Sequence, residues 1–132
     1  MNEDPQKKGC VVLVVEDDEA ISEFLSLTLE QEGYEVCVAP DGIKGLEIIL
    51  SRKPVAVLLD LMLPGVDGLT ILRRLAETAE TAAIPVMVVS SYADAGDTRK
   101  ALDASPNVKK IFVKPILTEN LLKSVKLLIA GR

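Results

Sequence analysis

The stretch that decides the fold is VAVLLDLMLPGVDG, residues 55–68. Its first five residues are apolar without interruption, which predicts a strand buried on both faces of a sheet. Asp60 closes that strand. The Pro-Gly pair at 64–65 then predicts a loop, and a helix is expected to begin at Gly68. A buried strand, a loop and a helix in this order indicate one β–α unit of a parallel sheet.

Similar units lie on both sides of this one. The predicted strands are 10–15, 34–38, 55–59, 85–89 and 110–113, and the predicted helices are 18–32, 43–53, 68–79, 94–104 and 118–130. The alternation predicts a doubly wound α/β fold, (βα)5, with helices on both faces of a five-stranded parallel sheet. The polar residues 1–9 predict a disordered lead-in, so the domain is expected to span residues 10–130.

The charge and the missing residue types narrow the function. The formal net charge is −5, and an acidic chain is a poor candidate for direct binding to nucleic acid. The sequence shows no secretory leader and no apolar run of about 20 residues, so we expect a cytoplasmic protein without membrane contact. Its two cysteines form no CxxC pair, which argues against a metal or redox motif. Histidine is absent, so the chemistry must use carboxylates, hydroxyls, lysine and bound ions.

Polar residues follow the predicted strands at their carboxyl ends. Glu16 and Asp17 follow the first strand, and Asp60 follows the third. Ser90 and Lys114 follow the fourth and fifth strands. The carboxyl ends of parallel strands share one edge of the sheet, which is where open α/β sheets bind their ligands. We therefore expect these side chains to meet at that edge.

The residue types at this edge suit phosphoryl chemistry. Carboxylates held together repel one another, and a hard divalent cation such as Mg²⁺ offsets that repulsion. The same cation neutralises charge on phosphoryl oxygens during a transfer. Asp60 is the candidate nucleophile, because it ends a buried strand without another acid beside it. Lys114 and Ser90 would contact the phosphoryl oxygens.

Most of these residues also have a simpler explanation. The acidic run at 16–19 would complement the positive end of the first helix. Ser90 would be an ordinary turn residue, and Lys114 part of a common Lys-Pro loop. Asp60 is harder to explain away, because an acid that closes an apolar strand is rarely buried without a partner. The combination, at the ends of successive strands, favours a functional site.

At these residues the sequence resembles the receiver domain of response regulators in two-component signalling. The resemblance covers about residues 10–130 and follows the family's order. The matching segments are VVEDD at 14–18, LLDLMLPGVDG at 58–68, PVMVVS at 85–90 and FVKP at 112–115. The resemblance implies a flavodoxin-like sheet with strand order 2-1-3-4-5.

Carried onto this chain, the resemblance implies a Mg²⁺ site. Asp17 and Asp60 would bind the ion directly, and Glu16 would act through water. The backbone carbonyl of Met62 would complete the protein's ligands. Asp60 is then the phosphoacceptor, and the protein is a signalling acceptor rather than an enzyme, since it would catalyse only its own phosphorylation and slow dephosphorylation.

The resemblance also implies a conformational switch. Ser90 would be its hydroxyl, Lys114 would contact the phosphoryl group, and the Lys114–Pro115 bond is expected to be cis. The family often places an aromatic residue three positions before this lysine. Here that position is Ile111, with Phe112 beside it. An altered switch is therefore expected.

Partners follow from the same resemblance. The donor would be a phosphohistidine on a sensor histidine kinase or a histidine phosphotransfer protein. The output partner, unknown from the sequence, is expected on the face made by the fourth helix, the fifth strand and the fifth helix. Lys109 and Lys110 add positive charge to this face. A monomer or a weak homodimer through the same face is predicted.

Other classes use the same residues differently. A pseudo-receiver would keep the fold and act as a scaffold, although the complete set of acids, hydroxyl and lysine argues against it. A phosphatase with an aspartyl nucleophile typically has a second aspartate two residues after the first, where this chain has Met62. No GxxxxGKS/T or GxGxxG pattern indicates a nucleotide site.

Overall fold

A computed structural model describes residues 11–91, 93, 95–115 and 117–130. The predicted lead-in and Cys10 lie outside them. In chain order the elements are β1 Val11–Val15, α1 Glu19–Gln31, β2 Glu35–Ala39, α2 Gly42–Arg52, β3 Ala56–Leu59, α3 Gly68–Leu75, α4 Ala79–Ala82, β4 Val86–Ser90, α5 Gly96–Ala104, β5 Val108–Val113 and α6 Thr118–Ala130. Within the described ranges, no helix has the length and apolar character needed to cross a membrane.

The strands form one parallel sheet in the order β2-β1-β3-β4-β5, which confirms the predicted α/β fold and its strand order. Strands β1, β3 and β4 are buried along their whole length, as expected when helices cover both faces. The edge strand β2 is more exposed. Because every strand runs the same way, all the carboxyl ends lie along one edge.

Two apolar clusters attach the helices, one on each face of the sheet. The first joins the sheet to α2, α3 and α5, and the second joins it to α1 and α6. Side chains alternate between the clusters along each strand, so Leu13 packs in the first while Val12 and Val14 pack in the second. The sheet is therefore a rigid platform for the residues at its carboxyl edge.

Three aspartates begin the helices that follow β1, β2 and β3. Asp18, Asp41 and Asp67 are the N-caps of α1, α2 and α3, and each carboxylate accepts a hydrogen bond from the amide three residues later. A cap of this kind is worth about 1 kcal/mol. At Asp67, the hydrogen bond from the Thr70 amide, 2.8 Å long, lowers the pKa of the carboxyl group. The caps fix where each helix starts relative to the carboxyl edge.

The structure corrects one predicted helix. The helix expected over 68–79 ends at Leu75, and a separate one-turn helix follows at Ala79–Ala82. Thr78 causes the break, because its backbone is extended and its hydroxyl accepts a hydrogen bond from the amide of Thr81. The fourth and fifth predicted helices are therefore α5 and α6.

Strand β5 also differs from the prediction. It begins at Val108, two residues earlier than expected. Asn107 is fully buried, and its side-chain amide donates to the carbonyls of Thr81 and Ile84, each at 2.8 Å. These bonds hold the start of β5 beside β4. Lys109 then forms a bulge, since consecutive residues of β4 pair with the residues on either side of it.

Candidate functional site

The acidic run after β1 divides between two tasks. Asp18 and Glu19 belong to α1, as its cap and its first residue. Glu16 and Asp17 instead face Asp60, and one carboxylate oxygen from each of these three lies within 4.8 Å of the others. The explanation by helix charge therefore applies to Asp18 and Glu19. The predicted acidic cluster contains Glu16 and Asp17.

Backbone hydrogen bonds fix the positions of the two buried acids. The amide of Glu16 donates to the carbonyl of Ala39, and the amide of Asp60 donates to the carbonyl of Val15, both at 3.0 Å. The Asp60 carboxylate accepts a hydrogen bond from the amide of Met62 at 3.2 Å. The loop after β3 therefore curls back, so that the backbone of Met62 lies beside the acid that precedes it.

Lys114 joins the two buried carboxylates. Its Nζ donates to Glu16 Oε1 at 2.7 Å and to Asp60 Oδ2 at 3.3 Å. Burial acts to lower the pKa of Lys114, but the hydrogen bond to Glu16 and the charges of both carboxylates outweigh burial and raise the pKa. Lys114 is consequently an ammonium ion at neutral pH.

The site carries more negative than positive charge. Burial raises the pKa of Glu16, and the charge of Asp60 adds to the rise, while hydrogen bonds from Lys114 and the Asp18 amide oppose it. Three carboxylates against one ammonium ion leave repulsion that a divalent cation would offset. An all-oxygen donor set with one exposed member, Asp17, fits Mg²⁺, which prefers carboxylates and keeps several waters.

Ser90 lies at the next strand end. It is the last residue of β4 and is fully buried, and its carbonyl accepts a hydrogen bond from the amide of Lys114 at 3.2 Å. The Lys114–Pro115 bond is cis, as expected. The structure thus places the acids, the hydroxyl and the lysine on one edge of the sheet.

Position 111, three residues before Lys114, has an isoleucine where an aromatic switch residue would be expected. Ile111 pairs with Val88 and packs against the cluster on the α2, α3 and α5 face. Phe112 packs against the cluster on the opposite face, with the Lys110 ammonium 5.7 Å from the centre of its ring. Neighbouring residues of a strand point to opposite faces, so Phe112 does not substitute for an aromatic at position 111.

A groove of about 410 Å³ beside Lys114 was not anticipated from the sequence. Phe24 lines it and is 54% exposed, although the apolar spacing of Ile21, Phe24, Leu25 and Leu29 in the sequence predicts one buried face of α1. Leu25 and Leu29, four residues apart, form the apolar face of α1 that covers the sheet. Phe24 lies at the margin of that face. The four-residue spacing of the two leucines was the signal in the sequence that could have indicated its exposure.

Comparisons with known proteins agree with this geometry. A sequence profile of the response regulator receiver domain matches residues 12–126. The DNA-binding dual master transcriptional regulator RpaA of Synechocystis is 37% identical over 118 residues, covering 89% of this chain and 48% of RpaA. The response regulator MprA of a Mycobacterium species is 35% identical over 118 residues, covering 89% of this chain and 50% of MprA. The chain spans about half the length of these curated relatives.

Solved structures show the same architecture. A response regulator from Chloroflexus aurantiacus superposes with a TM-score of 0.81 at 29% identity, covering 92% of this chain and 98% of that one. A CheY-like receiver domain protein from Methanospirillum hungatei gives a TM-score of 0.81 at 26% identity, covering 92% and 94%. The likeness extends over nearly the whole chain.

Proposed function

Because the chain belongs to the response regulator receiver family, we propose that it accepts a phosphoryl group on Asp60 with Mg²⁺ bound beside it. One observation carries the proposal. Asp60 is a buried carboxylate that lies within 4.8 Å of Glu16 and Asp17 and within 3.3 Å of the ammonium group of Lys114. An acid so placed is a nucleophile with the positive charge for a phosphoryl group next to it.

The proposed reaction uses a phosphohistidine on a sensor histidine kinase or a histidine phosphotransfer protein. A carboxylate oxygen of Asp60 attacks the phosphorus, a P–O bond forms, and the P–N bond breaks with its electron pair left on the imidazole. Lys114 moves its ammonium hydrogen bond from Asp60 to a phosphoryl oxygen. The Ser90 hydroxyl, at the neighbouring strand end, donates to another phosphoryl oxygen.

The proposed ion would be held by this chain's own oxygens. Asp17, Asp60 and the backbone carbonyl of Met62 would be its direct ligands, and Glu16 would act through water. When bound, Mg²⁺ supplies positive charge to the transferred oxygens. The support is the acidic cluster and the hydrogen bond that draws the Met62 backbone towards Asp60.

Mg²⁺ is expected to stabilise the fold. An ion that binds only the folded state adds about 1.4 kcal/mol at ten times its dissociation constant. Asp17→Asn should remove most of this gain, whereas Asp103→Asn, which alters an exposed acid on α5 paired with Arg99, should keep it. Urea unfolding with and without Mg²⁺ measures both, and calorimetry with beryllofluoride tests whether a phosphoryl mimic then binds. A fold that takes up neither ligand would instead be a pseudo-receiver that acts as a scaffold.

The output face is proposed to be α5, β5 and α6. A groove of about 350 Å³ lies between α5 and β5, and its charged lining consists of Lys109 and Lys110 together with the ion pair of Arg99 and Asp103. The buried Leu102 and the half-buried Val108 and Ile111 form its apolar part. Positive side chains around an apolar floor, in a chain with a net charge of −5, favour a partner that presents acidic residues.

Charge reversal at this groove should weaken partner binding. Lys109→Glu and Lys110→Glu are each expected to lower the affinity of phosphorylated protein for its output partner by about tenfold, since like charges would then face each other. Lys44→Glu, an exposed lysine on α2, is the matched control and should change little. Titration against each candidate partner provides the measurement. Unchanged affinity for all of them would contradict a role for the two lysines.

The oligomeric state of this protein and its relation to nucleic acid are predicted from the sequence. The protein is expected to be a monomer or a weak homodimer through the α5, β5 and α6 face. Direct contact with nucleic acid is not expected from a chain with a net charge of −5. RpaA is described as DNA-binding, and this chain matches 48% of its length.

A further inference from the structure

The junction between β2 and α2 touches the loop that follows Asp60. A Cβ atom on Gly42 would lie 1.6 Å from the carbonyl oxygen of Val66, a distance that no side chain can occupy. The amide of Gly42 also faces the carbonyl of Pro64 at 3.4 Å. Only glycine allows the first turn of α2 to lie directly against this loop.

The loop is held at both of its ends. At its start, the Asp60 carboxylate accepts the Met62 amide at 3.2 Å. At its far end, the amide of Gly68 donates to the carbonyl of Leu61 at 3.0 Å. Between these anchors, the residues at 64–66 lie on the first turn of α2. The first turn of α2 therefore supports the middle of the loop, between the anchors at Met62 and Gly68.

The same junction also contacts the other half of the site. The carbonyl of Ala39, the last residue of β2, accepts the amide of Glu16 at 3.0 Å. Within four residues the chain thus contacts both the acid pair after β1 and the loop after β3. Asp41 fixes the turn between them, since its carboxylate accepts the Lys44 amide at 2.8 Å.

We propose that the segment Ala39–Gly42 is a brace that sets the distance between the acid pair and the Met62 carbonyl, with Gly42 as its positioning residue. This inference rests on the proposed function, because it concerns the same Mg²⁺ site. Gly42 does not touch the reacting atoms. It acts by letting the loop approach closely enough for the backbone carbonyl to join the acids.

The test is the affinity for Mg²⁺ itself, measured by calorimetry on the full chain. Gly42→Ala pushes the loop away from α2 and is expected to weaken Mg²⁺ binding by about tenfold or more, the range seen when groups behind metal ligands are altered. Phosphorylation from a small acyl phosphate should then need a correspondingly higher Mg²⁺ concentration, and saturating Mg²⁺ should restore it.

Two glycines of this chain are matched controls. Gly96 starts α5, and a Cβ there would meet nothing within 4 Å, so Gly96→Ala should leave Mg²⁺ affinity unchanged. A Cβ on Gly45, also in α2, would lie 3.0 Å from a side-chain carbon of Val15. Gly45→Ala should lower stability through that crowding while Mg²⁺ affinity stays within about twofold of the parent. This control separates loss of packing from loss of positioning.

Each outcome decides the inference. A folded Gly42→Ala variant with the parent's Mg²⁺ affinity overturns the brace and leaves the proposed function intact. A parent that binds no Mg²⁺ overturns the proposed function itself.

If Gly42→Ala does not fold, Ile43→Ala replaces it. Ile43 also contacts the loop: its Cδ1 atom would lie 3.4 Å from a Cβ atom added to Gly65. Ile43 is 55% exposed, so its truncation should not prevent folding. Unchanged Mg²⁺ affinity in that variant also overturns the brace.

Discussion

Asp60→Asn is expected to reduce phosphoryl labelling to background, a loss of at least about a hundredfold, because the amide cannot supply the nucleophilic oxygen. The substitution keeps the shape of the side chain and an oxygen able to accept the Met62 amide. Incubation with Mg²⁺ and a radiolabelled acyl phosphate measures the incorporation, and a phosphorylated histidine kinase gives the same comparison with the proposed natural donor.

Asp67→Asn is the matched control for this substitution. Asp67 lies at the end of the same loop, where it caps α3 through the Thr70 amide. Asparagine is as good a cap as aspartate, so both folding and labelling should persist. Labelling that survives in Asp60→Asn, or that is lost equally in Asp67→Asn, would contradict the assignment of Asp60 as acceptor.

Lys114→Met should destabilise the metal-free fold by about 3 kcal/mol, because it leaves two buried carboxylates without their shared cation. The side chains of Glu16 and Asp60 are 4% and 9% exposed, so solvent cannot replace the ammonium group. Urea unfolding in a chelator measures the loss. Lys126→Met removes a cation of comparable geometry, 2.6 Å from Glu32 but half exposed, and should cost much less.

Restoring charge balance should reverse part of that loss. Adding Glu16→Gln to Lys114→Met removes one of the two stranded charges, so the double variant should be more stable than the single one. Saturating Mg²⁺ should also recover stability in Lys114→Met, since the remaining acids still bind the ion. A Lys114→Met protein as stable as the parent would show that the 2.7 Å and 3.3 Å contacts carry little energy.

Much of the fold and the site was predictable because the relevant signals are local. Apolar runs marked the strands, and the position of Asp60 at the end of one of them marked the edge where ligands bind. The acidic run at 16–19 was harder to interpret, since helix capping and ligand binding call for the same residue type. The structure assigns Asp18 to the helix and gathers Glu16 with Asp60.

The features that escaped prediction depend on contacts between distant segments. Nothing local shows that the backbone of Val66 lies against Gly42, because the Pro-Asp-Gly sequence at 40–42 is typical of any turn that leads into a helix. Phe24 is exposed because Leu25 and Leu29 of the same helix already cover the sheet, which the sequence alone does not show. The break at Thr78 arises because its hydroxyl competes with the helix for the Thr81 amide, a choice that periodicity alone does not reveal.

The position of Ile111 illustrates a prediction that the structure sharpens. An altered switch was expected from the missing aromatic, with Phe112 as the neighbouring aromatic side chain. Phe112 packs on the opposite face, while Ile111 lies in the groove between α5 and β5. The groove therefore has an aliphatic side chain at position 111, next to the Lys109 and Lys110 charges.

The most direct test of the central proposal is to locate the phosphoryl group chemically. Borohydride reduces an aspartyl phosphate to homoserine, and peptide mass spectrometry identifies the residue that carries the change. We expect protein treated with Mg²⁺ and a phosphoryl donor to contain homoserine at position 60, with none when Mg²⁺ is chelated. Homoserine at another acid, or none at all in protein that has bound Mg²⁺, would contradict Asp60 as the phosphoacceptor.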